Sequence, residues 1–163
     1  MRAPLKLLLD TNVLLDQYLP GRPAGKASRA LIRRAQERGD LLLYPARSVV
    51  DVHYVIASTL KSAVRAERGQ VTQDEAAAAQ EAAWGCVENL SQLATPVGMD
   101  ASDVWLARRY KELNPDYEDC FVMAAAERAH ADYIVTSDRG LLGKSTVAVL
   151  APADMLALLE VEQ

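Results

Sequence analysis

The chain has 163 residues, half of them apolar and a quarter charged, with 18 Lys and Arg against 22 Asp and Glu for a net charge of −4. A chain of this size buries on the order of 70% of its unfolded surface, which excludes disorder and any need for disulfides or structural metal, and the acidic balance argues against gripping nucleic acid by bulk charge. No apolar run nears the ~20 residues of a membrane span, no signal peptide is expected, and Cys86 and Cys120 match neither a CxxC motif nor a zinc cluster, so one soluble domain over residues 1–163, in a reducing cytoplasm, is expected.

Residues 5–9, Leu-Lys-Leu-Leu-Leu, predict a strand buried on both faces. Helices follow near 12–18 and over 26–38, the second stopped by Gly39. Residues 41–44 read as a second strand closed by Pro45. From 46 to about 68 the pattern is helical, with Val52, Val55, Ile56 and Thr59 spaced i, i+3, i+4 and i+7. Thr72 and Glu75 form a Thr-x-x-Glu capping box, so the Ala-rich stretch 75–83 belongs to a helix running to about 93 and is not a linker. After Pro96, Asp100 or Ser102 caps a helix through Leu113, which Asn114-Pro115 breaks. Asp116 caps a further helix to His130, residues 133–136 and 147–150 are the remaining strands, and 153–159 is a closing helix. Strands separated by helices imply right-handed crossovers, hence an α/β three-layer sandwich with a central, mainly parallel β-sheet. Ligands in such sheets gather outside the carboxyl ends of the strands.

Four carboxylates stand out against this frame. Asp10 directly follows the first strand, and Asp138 follows the strand-like 133–137. Each also has a local reading, Asp10 in an Asx-turn and Asp138 in a β-turn. Asp51 lies among Val49, Val50, Val52, Val55 and Ile56, and an acid so placed needs a partner. Arg47, one turn earlier, is the structural candidate, and His53 reads as a satisfied, partly buried histidine. Asp119 opens the apolar helix Cys120 to Ala126, where Asp116 and Asp119 can form a capping box beside Glu118. If the four acids converge on one crevice, their repulsion opposes folding unless a cation binds. Hard oxygen ligands suit Mg²⁺ or Mn²⁺, and zinc is disfavoured by the lack of clustered Cys and His. A divalent ion there acidifies water and stabilises phosphoryl charge, as phosphodiester hydrolysis requires.

The order and wording of these pieces resemble the PIN domain family. The matching pieces are Leu7-Leu8-Leu9-Asp10-Thr11-Asn12, Ser48-Val49-Val50-Asp51, Tyr117-Glu118-Asp119-Cys120 with Ala124-Ala125-Ala126, and Tyr133-Ile134-Val135-Thr136-Ser137-Asp138. The resemblance implies a metal-dependent nuclease, commonly a single-strand endoribonuclease and often the toxin of a VapC-type toxin-antitoxin pair. It further implies that Asp10, Asp51, Asp119 and Asp138 hold Mg²⁺ or Mn²⁺, with Asn12, Thr136 and Ser137 as polar support around them. Family members usually carry Glu where this chain has Asp51, which is shorter by one methylene. Asp116 and Glu118 are alternatives to Asp119, which is preferred because it immediately precedes the apolar run.

For single-stranded or structured RNA, Arg139 and Lys144 after the last acid are candidate phosphate contacts, as are Arg29, Arg33 and Arg34 on an early helix. The first 40 residues carry eight Lys or Arg against four acids, so a local basic face is compatible with the acidic total. A solvated basic face is the other reading of those residues. A haloacid-dehalogenase-like phosphatase needs a second Asp where Asn12 stands, and is set aside. The alternative to a nuclease is a catalytically weak PIN-like module that binds RNA or a partner without cutting. The family also implies a cognate antitoxin near the active-site groove, and homodimerisation is compatible with it.

Overall fold

The computed structural model describes residues 3–161. In chain order its elements are β1 (Lys6–Leu9), α1 (Thr11–Tyr18), α2 (Gly25–Arg38), β2 (Leu41–Pro45), α3 (Ser48–Arg68), α4 (Gln73–Leu93), β3 (Thr95–Val97), α5 (Ala101–Tyr110), α6 (Tyr117–Arg128), β4 (Tyr133–Val135), β5 (Val149–Leu150) and α7 (Pro152–Val161). The strands form one sheet in the order β3-β2-β1-β4-β5. Every pairing is parallel, with Leu8 of β1 opposite Leu43 on one side and Ile134 on the other.

Side chains on a strand alternate between faces, and in β1 both faces are apolar because both are covered. Leu7 and Leu9 enter a core with Leu42, Tyr44 and Val135, roofed by residues of α1, α2, α3, α4 and α7. Leu8 and Ile134 enter a second core, closed by Leu106 and Tyr110 of α5 and Met123 of α6. The result is the expected three-layer sandwich. Leu7, Leu8 and Leu9 are essentially inaccessible, and each contributes about 1.5–3 kcal/mol by burial.

Local signals end the helices where the residues predict. Gly39 takes a left-handed φ of +76° and returns its N–H to the carbonyls of Ala35 and Gln36, closing α2. Thr72 and Glu75 cap α4 reciprocally, through bonds of 3.2 and 2.9 Å. One face of the Ala-rich stretch packs inward, with Ala79 and Ala83 buried where α4 lies along α3, while Ala77, Ala78 and Ala82 are exposed.

Four expectations are corrected. Strand β3 is absent from the predicted elements because it has three residues with Pro96 at its centre. At the sheet edge Pro96 removes no needed ladder bond, which is where proline is tolerated in a sheet. Helix α5 stops at Tyr110, short of Leu113, and the amides of Leu113 and Asn114 turn back onto the Tyr110 carbonyl. The last predicted strand shrinks to Val149–Leu150, and α6 ends before His130, which adopts a positive φ of 53°. Among the described residues no helix is long and apolar enough to cross a membrane.

The order β3-β2-β1-β4-β5 makes β1 the strand from which the chain first winds one way, to β2 and β3, and later the other, to β4 and β5. Between the carboxyl ends of β1 and β4 the covering loops run apart and leave a crevice.

Candidate functional site

Asp10 occupies that crevice because it is the residue after β1. It serves as N-cap of α1, its Oδ1 accepting the Thr11 N–H at 2.8 Å. Its Oδ2 accepts the Thr136 hydroxyl at 2.8 Å and the Asn12 amide at 3.2 Å. The Thr136 hydroxyl joins three groups, since it also accepts from Asn12 Nδ2 and from the Asp138 N–H, both at 3.0 Å. Asn12 completes the link by accepting the Ser137 N–H at 3.0 Å. One donor and two acceptor positions are all a hydroxyl has, so Thr136 is fully used and inaccessible to solvent.

Asp119 arrives from the other cover layer, in the first turn of α6. Asp116 caps that helix by accepting the Asp119 N–H at 3.0 Å. The reciprocal half of a capping box is missing: the Asp116 N–H bonds to Asn114 Oδ1 at 3.0 Å. The Asp119 carboxylate is thereby released from capping and accepts Asn114 Nδ2 at 3.0 Å. Asn114 is buried, and its carbonyl accepts the Cys120 thiol at 3.2 Å, so it ties the loop to the helix at three points.

Asp138 stands between these two. Its Oδ1 accepts the Gly140 N–H at 2.8 Å. A Cβ on Gly140 would stand 3.1 Å from Asp138 Oδ1 and 3.7 Å from Asp119 Oδ2, so the two carboxylates flank one point that only glycine leaves open. Asp10, Asp119 and Asp138, with Asp116, Glu118, Thr11 and Asn12, line an open groove of about 300 Å³.

No basic side chain pairs with Asp10, Asp119 or Asp138 in this groove, although Glu118 on its wall meets Arg47. Burial pushes the Asp10 carboxyl above its ordinary value, against the hydrogen bonds from Thr136 and Thr11, and the charge of Asp138 pushes the same way. Burial likewise raises Asp119, opposed by the Asn114 bond and assisted by Asp116, Asp138 and Asp10. The ion pairs found among the described residues involve none of Asp10, Asp119 or Asp138. No three of the described His, Cys, Asp or Glu form a ready-made cage for a metal. Mg²⁺ does not require one, because it usually keeps several waters and takes one or two carboxylates. An all-oxygen donor set, crowded and without a basic partner, fits a hard divalent cation.

The other predicted residues lie apart from this groove. Asp51 lines a neighbouring cavity with Ser48, Arg47, Val97 and Met99, and it is absent from the walls that Asp10, Asp119 and Asp138 share. Arg47 does not pair with it, reaching instead to Glu118 at 3.6 Å. Ser48 nevertheless connects the two spaces, its hydroxyl accepting that of Thr11 at 2.9 Å. Arg139 and Lys144 are exposed on the loop after β4, and neither lines the groove. Arg29 donates to the Asp16 carbonyl and Arg34 pairs with Glu37 at 3.8 Å. His53 is not satisfied, since its Nε2 is buried without a hydrogen-bond partner while its ring meets Trp84 edge to face.

Two buried polar residues, Asn114 at the site and Asp16 away from the groove walls, were not singled out by the sequence. Asn114 was visible as a helix breaker, but its amide reaches the acid five residues on only because the loop folds back. Asp16 is buried in α1 and takes Arg22 Nε and the Ser28 hydroxyl, each at 2.6 Å. Its apolar surroundings, like those of Asp51, are the signal that could have identified it.

A family model described as PIN domain matches residues 6–140, a span that contains all four predicted acids. Among solved structures the chain is similar to VapBC2 from Rickettsia felis, a structure bound to a DNA fragment from the promoter. That match has 9% identity over 90% of this chain and 98% of that chain, with a TM-score of 0.60. It is also similar to PAE2754 from Pyrobaculum aerophilum, at 18% identity over 96% of this chain and 90% of that chain, with a TM-score of 0.59. At these identities the likeness is one of fold. No curated protein matches the sequence.

Proposed function

Since the chain belongs to the PIN domain family, whose members are generally nucleases, we propose that it is a Mg²⁺- or Mn²⁺-dependent endoribonuclease cutting single-stranded RNA. The observation that carries this reading is the convergence of Asp10, Asp119 and Asp138 on one groove without a basic partner. Asp10 and Asp119 are the principal metal-holding residues in this reading, with Asp138 beside them. Asp51 faces the next cavity, so its contribution is through water or through the Ser48–Thr11 hydroxyl link.

A divalent ion held there supplies Lewis-acid chemistry at a phosphodiester. The chain's own groups do the positioning. Thr136 and Asn12 hold Asp10 in one rotamer, and Asn114 does the same for Asp119, so the carboxylates need not reorganise when substrate arrives. The Asp138 N–H is held by Thr136, which keeps the strand-end turn at a set distance from α1. Gly140 lets the backbone approach the acids closely, since a side chain there would press on Asp138 Oδ1 at 3.1 Å.

By the same reading the enzyme is the toxin of a pair and works in the cytoplasm, in keeping with its two unpaired cysteines. An antitoxin segment with a basic side chain would neutralise the groove, and a homodimer belongs to this proposal too. The test is cleavage of a mixed-sequence single-stranded RNA by wild type and Asp119→Asn, with Mn²⁺, Mg²⁺ or EDTA. Metal-dependent cutting by wild type alone is expected. Equal behaviour of the two proteins, together with no thermal stabilisation of wild type by Mn²⁺, would transfer the chain to a binding role without cleavage.

A further inference from the structure

Tyr117, the first residue of α6, stands beside the acids without joining them. Its side chain is 65% exposed and meets Phe121 edge to face, with ring centroids 5.0 Å apart and planes at 82°. Met99, 47% exposed, forms another wall. With Arg47, Asp116 and Glu118 these residues line an open hollow of about 560 Å³. Asp116 and Glu118 also line the acid groove, so the two spaces share a rim.

Resting on the nuclease reading above, we propose that this hollow seats a nucleobase of the RNA, stacked on Tyr117, next to the phosphodiester over the acids. A phosphodiester placed in the groove brings its neighbouring nucleotide to the shared rim. There the exposed aromatic ring offers a face to any base. Arg47 supplies the matching charge. Its pair with Glu118 is 3.6 Å long with both side chains half exposed or more, and such a pair adds little stability. The guanidinium therefore exchanges Glu118 for a phosphate oxygen at small cost, and a fork of donors suits that acceptor. It also offsets the repulsion that an acidic groove exerts on an RNA backbone. An apolar peptide side chain could fill the same space, but it would make no use of Arg47.

The experiment pairs protein variants with substrate variants. Wild type, Tyr117→Ala and Tyr117→Phe are assayed on a single-stranded oligoribonucleotide and on a set in which one position at a time, around the cut, is abasic. Tyr117→Ala should lower kcat/KM by roughly 5- to 150-fold, the range of one lost stacking contact, and Tyr117→Phe should restore it. At one abasic position the difference between wild type and Tyr117→Ala should vanish. Undiminished cleavage by Tyr117→Ala, or a loss that persists at every abasic position, would overturn the proposal and leave the hollow to a protein partner. If wild type cuts none of these RNAs, the nuclease reading fails separately. The subsite is then read by quenching of 2-aminopurine in the same oligonucleotides on binding. Quenching by wild type and Tyr117→Phe but not by Tyr117→Ala supports it, and no binding, or quenching independent of Tyr117, overturns it. Should Tyr117→Ala melt early, Met99→Ala is read by the same two assays.

Discussion

Asn114 donates its buried side-chain amide to Asp119 Oδ2 over 3.0 Å, so the residue that interrupts the chain before α6 also orients the acid that opens the helix. The same side chain accepts the Asp116 N–H, which frees Asp119 from a capping role. Helix initiation and site geometry are thus one arrangement. Asn114→Ala should remove both bonds and destabilise the fold by about 1–3 kcal/mol, the cost of unpaired buried groups. Cleavage should fall by roughly 10- to 100-fold, as for other supports of a metal ligand. Chemical denaturation with parallel cleavage assays checks both, and an unchanged kcat in a destabilised protein would confine Asn114 to folding.

Thr136→Val keeps the shape of the side chain while removing the hydroxyl that Asp10, Asn12 and the Asp138 N–H share. One substitution therefore loosens both strand-end acids. A drop of about 10- to 100-fold in metal affinity is expected, measured by Mn²⁺ titration of the melting temperature. An affinity equal to wild type would show that Asp10 is held by the Thr11 and Asn12 bonds alone.

Gly140→Ala adds a methyl 3.1 Å from Asp138 Oδ1 and 3.7 Å from Asp119 Oδ2. Asp138 must give way by a few tenths of an ångström, and the space between the carboxylates is partly filled. Cleavage should fall at least tenfold while stability stays within about 1 kcal/mol, since the loop is exposed. Retained activity would mean that substrate does not use this side of the groove.

Asp51 gives a sharper contrast. Because it lines an adjoining cavity and not the groove wall itself, Asp51→Asn should lower cleavage by no more than about tenfold, the size of an indirect contact. Asp119→Asn should abolish cleavage under the same conditions. Equal losses would bring Asp51 into the groove in the working enzyme.

The acids also set a pH dependence in metal-free protein. Burial holds Asp10 and Asp119 above their ordinary carboxylate value of 3.8. The fold then binds more protons than the unfolded chain, so their contribution is complete below the unfolded value and is lost as pH rises through the folded one. In EDTA, wild type should lose stability relative to Asp119→Asn as pH rises above the ordinary carboxylate value of 3.8. The removed charge should leave the variant with the higher Tm at neutral pH. A difference in stability between the two proteins that does not change with pH would refute the raised Asp119 carboxyl.

The layers of this protein were legible in its residues because periodicity is a local property. An apolar run at 5–9 cannot sit at a surface, Gly39 and the Thr72–Glu75 pair mark helix ends by their own chemistry, and alternating strands and helices leave few topologies. Asp10 and Asp138 were visible for the same reason, as acids one and three residues past buried strands. What local pattern does not contain is which polar groups meet across layers. Only the folded chain decided that Asn114 holds Asp119, that Thr136 joins Asp10 to Asp138, and that Arg47 turns to Glu118 and leaves Asp51 unpaired by it in the adjoining cavity. Those choices depend on loop paths over distances of a few ångströms. The short edge strand β3 was decided there too, since its pairing comes from β2 and not from any propensity of Thr95, Pro96 and Val97.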